Sequence, residues 1–278
     1  MLMQRVTGLS RVQLLTHDTD VLSAAQLSLW NALLERRLAG EPMAYILGER
    51  EFYGRVFVVN SNVLIPRPDT EILIDAVLAQ YAVNTALTVL DLGTGSGAIA
   101  VTLAAERPAW QVNAVDISAE ALSVAQANAE AHAPTVSLRQ SDWFSAIAPH
   151  ERFDLIVSNP PYIAAHDVHL TQGDVRFEPR GALSDEADGL KHYRAIIAQA
   201  PQFLTADGRI YLEHGFDQAV AVRELLYQAN FTEIQTIRDL AGHERVSVGQ
   251  IARVKESYGT HGSGIHPQYR TTGASTRD

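Results

Sequence analysis

Between Leu87 and Ala105 a strand-like apolar run, Leu87-Thr88-Val89-Leu90-Asp91-Leu92, passes directly into Gly93-Thr94-Gly95-Ser96-Gly97. Ala98-Ile99-Ala100-Val101-Thr102-Leu103-Ala104-Ala105 then opens a helix. Strand, glycine turn and helix start in that order point to an α/β unit whose helix packs back on its own strand. Glycine at three alternate positions lets the backbone pass within contact distance of a ligand, and the free N–H groups of the helix start favour an anionic group. The spacing is G-x-G-x-G rather than the G-x-G-x-x-G of the dinucleotide fingerprint, and the acid Asp91 opens it, which counts against a nicotinamide cofactor. Thr94 and Ala98 flank Ser96 where a serine-hydrolase elbow needs glycines.

Downstream strands carry polar residues at the same end. Gln111-Val112-Asn113-Ala114-Val115-Asp116 ends in an acid nineteen residues after Gly97. A carboxylate there can accept both hydroxyls of a ribose, or it can cap the helix expected near Ser118. With the glycine loop upstream, the ribose role is favoured. Val136-Ser137-Leu138-Arg139 leads to Ser141-Asp142-Trp143-Phe144. There Asp142 is placed to take the exocyclic amine of an adenine and Trp143 to lie beside the base, although such a stretch also suits a plain turn with a core aromatic.

The buried strand Phe153-Asp154-Leu155-Ile156-Val157 then delivers Asn159-Pro160-Pro161-Tyr162. The prolines fix their own φ and restrict the residue before them, so the Asn159 amide and the Pro160 carbonyl are held in nearly constant directions. Both offer acceptors to an NH2 group, and Tyr162 can lie flat on a planar substrate. This constellation suits alkylation of a planar, weakly nucleophilic nitrogen. An ordinary Asx-Pro turn is the plainer reading of Asn-Pro alone.

Composition narrows the class. The chain has 278 residues, enough for one large or two unequal domains, and no cysteine, which removes disulfides, a thiolate nucleophile and cysteine zinc sites. The net charge of −10 and pI near 5.4 count against a dedicated nucleic-acid binder. No apolar run approaches the roughly eighteen residues of a membrane span, and the N-terminus lacks a signal peptide's apolar core, so no membrane partner and a cytoplasmic location are expected. His261 and His266 read as solvated, so no metal is expected.

The N-terminal sixty residues have another texture. Ser23-Ala24-Ala25-Gln26 is a capping box, followed by apolar Leu27, Trp30, Leu33, Leu34 and Leu38, with Gly40 and Pro42 closing the helix. Residues 51–59 read as a hairpin, and Pro66 and Pro68 mark a stiff entry into the α/β region.

On Pro66-Arg67-Pro68-Asp69-Thr70-Glu71, Asp91 to Ala98, Ser141 to Phe144, Asn159 to Ile163, Val175-Arg176-Phe177-Glu178-Pro179 and Leu212-Glu213-His214-Gly215, the chain resembles the class I S-adenosylmethionine-dependent methyltransferases, specifically the peptide chain release factor glutamine methyltransferases. The resemblance runs from about Glu41 to Gln250. It implies an α/β fold: a Rossmann-like, mostly parallel seven-stranded sheet with helices on both faces, a small helical N-terminal domain and a hairpin linker. The implied segments are a substrate-docking domain at 1–44, the linker at 45–65, the catalytic domain at 66–254 and a disordered tail at 255–278.

The resemblance further implies methyl transfer from S-adenosylmethionine to the N5 amide nitrogen of the glutamine in a release factor's Gly-Gly-Gln motif. Asp91, Gly93, Thr94, Gly95, Ser96, Gly97, Asp116, Asp142, Trp143 and Asn159 would bind the cofactor. Asn159, Pro160, Pro161 and Tyr162 would carry the chemistry and hold the substrate. Arg176 and Glu178 would either grip the substrate or form a structural ion pair. Members usually begin with one more helix and stop sooner after the last strand, so an uncovered apolar face is expected near the N-terminus. The N-terminal helices would dock the protein substrate or serve as a stabilising lid. Competing activities are adenine-N6 methylation of DNA or RNA, which the same tetrapeptide would suit, glutamine methylation of a ribosomal protein, and a non-catalytic cofactor-binding scaffold. The acidic charge opposes the nucleic-acid reading.

Overall fold

The computed structural model describes residues 1–251; the tail expected at 255–278 lies outside them. Four helices come first: α1 (Leu2–Thr7), α2 (Arg11–Thr16), α3 (Ala24–Leu38) and α4 (Met43–Leu47). The capping box at Ser23 forms as read, the hydroxyl accepting from Gln26 N–H and the Gln26 side chain accepting from Ser23 N–H. The apolar stripe of α3 is only partly covered. Leu33 is buried with Val6 and Ile46, Trp30 packs at the edge of that cluster, and Leu27 and Leu38 stay exposed.

A hairpin comes next, β1 (Glu49–Phe52) and β2 (Arg55–Val58), turning on Tyr53 and Gly54 at φ 50° and 72°. Two successive positive φ angles match the right-handed twist of the strands. Tyr53 tolerates this because its N–H donates to Glu71 Oε1 at 2.9 Å and its hydroxyl to Asp75 Oδ1 at 2.7 Å. Phe52 and Phe57, almost wholly buried and edge-to-face at 5.9 Å, enter the core beneath the main sheet.

That sheet comprises β3 (Thr88–Leu92), β4 (Gln111–Asp116), β5 (Ser137–Gln140), β6 (Phe153–Ser158), β7 (Leu204–Glu213), β8 (Phe231–Arg238) and β9 (Glu244–Ile251) in the order β5-β4-β3-β6-β7-β9-β8. The first five are mutually parallel, and β9 runs antiparallel between β7 and β8. Helices cover both faces, so the central strands are apolar throughout rather than alternating. Val89, Leu155, Val157 and Tyr211 face α5 (Glu71–Gln80) and α6 (Ala98–Glu106), with α7 (Ala119–His132) at the margin. Leu90, Leu92, Ile156, Ile210 and Leu212 point the other way, toward α9 (Lys191–Gln199) and α10 (Ala219–Gln228). The one-turn helix α8 (Arg180–Leu183) lies in the long β6–β7 connection. Strand order reverses between β3 and β6, and a crevice opens there at the strands' carboxyl ends.

Burial of Phe57 makes the hairpin part of the core it flanks. Phe57→Ala should lower unfolding stability by about 3–5 kcal/mol, whereas Leu38→Ala, 78% exposed, should change it by less than about 0.5 kcal/mol. Urea titration of both variants checks the contrast.

Candidate functional site

The crevice holds a cavity of about 300 Å³, within the range of small-molecule sites. Gly93, Thr94, Gly95 and Ser96 form one wall, Asp116, Asp142 and Trp143 another, and Asn159 and Pro161 a third.

The glycine wall is held by the strand beside it, because Gly93 and Thr94 N–H groups both donate to Val115 O at 2.9 and 3.0 Å. Gly95, at φ 56°, turns its N–H to Asp116 Oδ2 at 2.8 Å. Asp116 Oδ1 accepts from Ser118 N–H at 2.9 Å. The cap of α7 is Ser118, whose hydroxyl accepts from Ala121 N–H. Asp116 is therefore not spent on capping: each oxygen takes one backbone bond and the carboxylate faces the cavity. Burial pushes its pKa up, and the backbone N–H groups of Ser118 and Gly95 pull the other way.

Trp143 has φ 47°, unusual for a bulky residue. Ser141 Oγ donates to Trp143 O at 2.7 Å and accepts from Ala146 N–H. Buried Phe144, stacked on Phe203 at 4.7 Å, anchors the turn from below. The Trp143 ring stands 5.2 Å from His192 and would contact any Cβ at Gly93.

Two expected cofactor residues sit behind the wall. Asp91 is fully buried and accepts from Thr94 Oγ1 at 2.7 Å, so it braces the loop instead of lining the cavity; burial lifts its pKa to about 7. Gly97, at φ 82°, starts α6 where a Cβ would press on Val101 and Ala125 at 3.2–3.3 Å, which makes its role helix packing. In the tetrapeptide, Pro160 is buried and Tyr162 packs against the second core cluster. Neither lines the cavity. Burial, with the nearby Glu213 carboxyl, raises the Tyr162 phenol to about 12 and keeps it neutral.

Arg176 and Glu178 are corrected more strongly. Arg176 donates to Ala39 O at 3.0 Å and lies over the Phe177 ring at 4.9 Å, reaching the end of α3 and not the cavity. Glu178, with no side-chain exposure, pairs with Arg67 and accepts from Ile65 N–H at 3.0 Å. Glu178 thus pairs with Arg67 rather than with Arg176, and this pair fastens the β6–β7 connection to the segment leaving the hairpin.

Several cavity residues escaped sequence reasoning: Arg67 and Thr70 from the Pro-Arg-Pro-Asp-Thr-Glu segment, Ser141, Pro179 and His192. Arg67, Thr70, Ser141 and Pro179 stood in quoted motifs without an assigned role, and His192 in none. Glu213, at the end of β7, is buried with its carboxyl beside the Thr70 and Asn159 side chains. Burial raises it to about 7, while Arg245, itself paired with Asp69 at 3.2 Å, pulls it down. Among the described residues no cluster of histidines, cysteines and acids could hold a metal ion.

Comparison with known proteins gives two family models: the PrmC N-terminal domain over residues 1–48 and the Methyltransferase small domain over 68–176. The chain is 53% identical to the release factor glutamine methyltransferase of Bordetella pertussis, covering 90% of this chain and 93% of that one. It is 51% identical to that of Neisseria gonorrhoeae, covering 90% and 91%. Among solved structures, a methyltransferase from Pyrococcus furiosus superposes with a TM-score of 0.54 at 16% identity, over 80% of this chain and 99% of that one. This last likeness shows the shared fold alone.

Glu213 provides a stability test. Its folded pKa, about 7, exceeds the ordinary 4.5, so the folded state binds the proton more tightly. The associated stabilisation is complete below about pH 4.5 and is lost as pH rises through 7. Glu213→Gln, which cannot ionise, should gain melting temperature relative to the parent between pH 5.5 and 8. A constant difference across that interval, measured by calorimetry, would contradict the assignment.

Proposed function

Since the chain belongs to the release factor glutamine methyltransferase family, we propose that this cavity is where it transfers a methyl group from S-adenosylmethionine to the side-chain amide nitrogen of the glutamine in a release factor's Gly-Gly-Gln loop. The observation that carries the assignment is the meeting of Asp116, Asp142, Trp143 and Asn159 around one cavity at the sheet's switch point.

The residues present suit the methyl donor. Asp116 offers acceptors for two ribose hydroxyls, Asp142 an acceptor for the adenine amine, Trp143 a face for the base, and the Gly93–Ser96 wall a close backbone approach. Bound S-adenosylmethionine supplies an electrophilic methyl group on a positively charged sulfur.

An amide nitrogen is a poor nucleophile because its lone pair is delocalised into the carbonyl. Asn159 Oδ1, at the cavity wall, accepts an N–H bond of the glutamine amide and turns the lone pair toward the methyl group. Positioning at about 3–3.5 Å supplies much of the rate. Because the donor's charge is lost during transfer, excluding water favours the reaction. Pro179 and Ala182, from the connection tethered by Glu178, help wall the cavity. The nitrogen becomes acidic as it is alkylated, so its proton passes to solvent water and needs no strong base.

The protein substrate requires a second contact, since one amide cannot distinguish release factors from other glutamine-bearing proteins. Exposed Val12, Leu15, Leu27, Leu29 and Leu38 on the N-terminal helices support docking there. The net charge of −10 favours a protein over a nucleic acid. Among the described residues no helix is long and apolar enough to cross a membrane, in keeping with a cytoplasmic site of action.

Asp116→Ala should weaken S-adenosylmethionine binding at least about tenfold, through loss of charge-assisted bonds of about 1.5–3 kcal/mol each. Calorimetric titration of the folded variant tests this, and unchanged affinity would remove Asp116 from the ribose site.

With methyl-labelled donor, release factor and DNA together, label should appear on the release factor glutamine by mass spectrometry. Asn159→Ala should cut that turnover by about 10²-fold or more, with a far smaller change in donor affinity. Label on DNA, or parental turnover by Asn159→Ala, would overturn the reading.

A further inference from the structure

The Asn159 amide has two polar ends, and the chemistry requires the oxygen to face the cavity. A free amide rotates about its terminal torsion and presents either end at similar cost. What decides its direction lies outside the Asn-Pro-Pro-Tyr segment. Asn159 Nδ2 donates to Thr70 Oγ1 at 3.2 Å. The Glu213 carboxyl lies beside both the Thr70 hydroxyl and the Asn159 side chain. The register brings them together, since Ser158 on β6 pairs with Leu212 on β7 and Asn159 and Glu213 are the next residues on each strand.

Two further observations single out this triad. Thr70 stands at the N-cap of α5, where a threonine hydroxyl ordinarily accepts from the helix's first N–H groups, yet it makes no such bond. Its hydroxyl instead accepts from Asn159 Nδ2, beside the Glu213 carboxyl. Glu213 is 2% exposed, and its second carboxylate oxygen is buried without a partner. An acid held at that cost next to a functional amide is more than packing, because an apolar residue would fill the space at lower energy.

Resting on the role of Asn159 proposed above, we infer that Glu213 and Thr70 are positioning residues that lock the Asn159 amide with its nitrogen inward and its oxygen toward the substrate. In its ionised form the Glu213 carboxylate only accepts hydrogen bonds, so it captures the NH2 end and repels the carbonyl end. The threonine oxygen takes the second N–H while its single proton goes to Glu213. All three donors are thereby used, and rotating the amide would set its oxygen against two acceptors. Glu213 lies outside the cavity lining and Thr70 at its wall; both act through Asn159.

The test measures kcat at saturating donor and release factor, KM for the release factor, and S-adenosylmethionine binding. Thr70→Val keeps the shape but removes the hydroxyl. It should lower kcat at least about tenfold, as misaimed groups beside a reacting atom do, with KM within about threefold of the parent. Thr70→Ser restores the hydroxyl and should regain most of the lost turnover. Glu213→Met should resemble Thr70→Val, and the double variant should be no slower than the slower single, because the two residues serve one amide. Should Glu213→Met not fold, the Thr70 pair decides alone. Parental turnover by Thr70→Val, failure of Thr70→Ser to recover, or multiplying losses in the double variant would overturn the inference. Asn159→Ala is measured alongside: if it turns over normally, the proposed function of that residue fails first. If it is impaired while Thr70→Val is not, only the positioning role fails.

Discussion

The parallel register of β4, β3, β6 and β7 is the constraint on which the site depends. Leu92 pairs with Val115 on one side and Ser158 on the other, and Ser158 pairs with Leu212. The next residue along each strand, Asp116, Gly93, Asn159 and Glu213, therefore emerges level with the others along one edge. A slip of one residue in any strand would send its apolar side chains to the wrong layer, so burial on both faces enforces the alignment. The site's geometry is in this sense a by-product of core packing.

That edge carries unusual electrostatics. Asp91 and Glu213, both nearly inaccessible and each with one buried oxygen lacking a partner, flank the glycine wall and the tetrapeptide. Native interiors rarely leave such groups unsatisfied. Each braces a functional neighbour, Asp91 through Thr94 and Glu213 through Thr70 and Asn159. Stability given up here is the expected counterpart of a site held in one arrangement. Glu178 differs: it is equally buried but meets a guanidinium and a backbone N–H, and its place is in fastening the chain around the cavity.

The N-terminal segment contributes at two levels. The hairpin inserts two aromatic rings into the main core, and the helices before it bury only a small cluster of their own and leave several leucines and valines exposed. Arg176 bridges to the end of α3 from the β6–β7 connection, and Arg37 reaches Asp174 at 3.3 Å from the other direction. These links join the N-terminal helices to the β6–β7 connection that helps wall the cavity.

The elements that could be read from sequence were those set by local physics. The glycine loop demanded positive φ, the capping box at Ser23 declared a helix start, and the prolines after Asn159 restricted its backbone; each works within a few residues. The strand-end positions of Asp116, Asp142 and Trp143 were legible because each closes or shortly follows a strand-like run, 111–116 or 136–139. Tertiary structure decided what long separations hide. It placed Asp91 and Gly97 behind the wall, sent Arg176 to the N-terminal helices, paired Glu178 with Arg67, and brought Thr70 and Glu213, more than a hundred residues apart, onto one amide. An ionisable side chain reads the same in sequence whether it meets solvent, a partner or a ligand, and only packing determines which neighbour answers its charge.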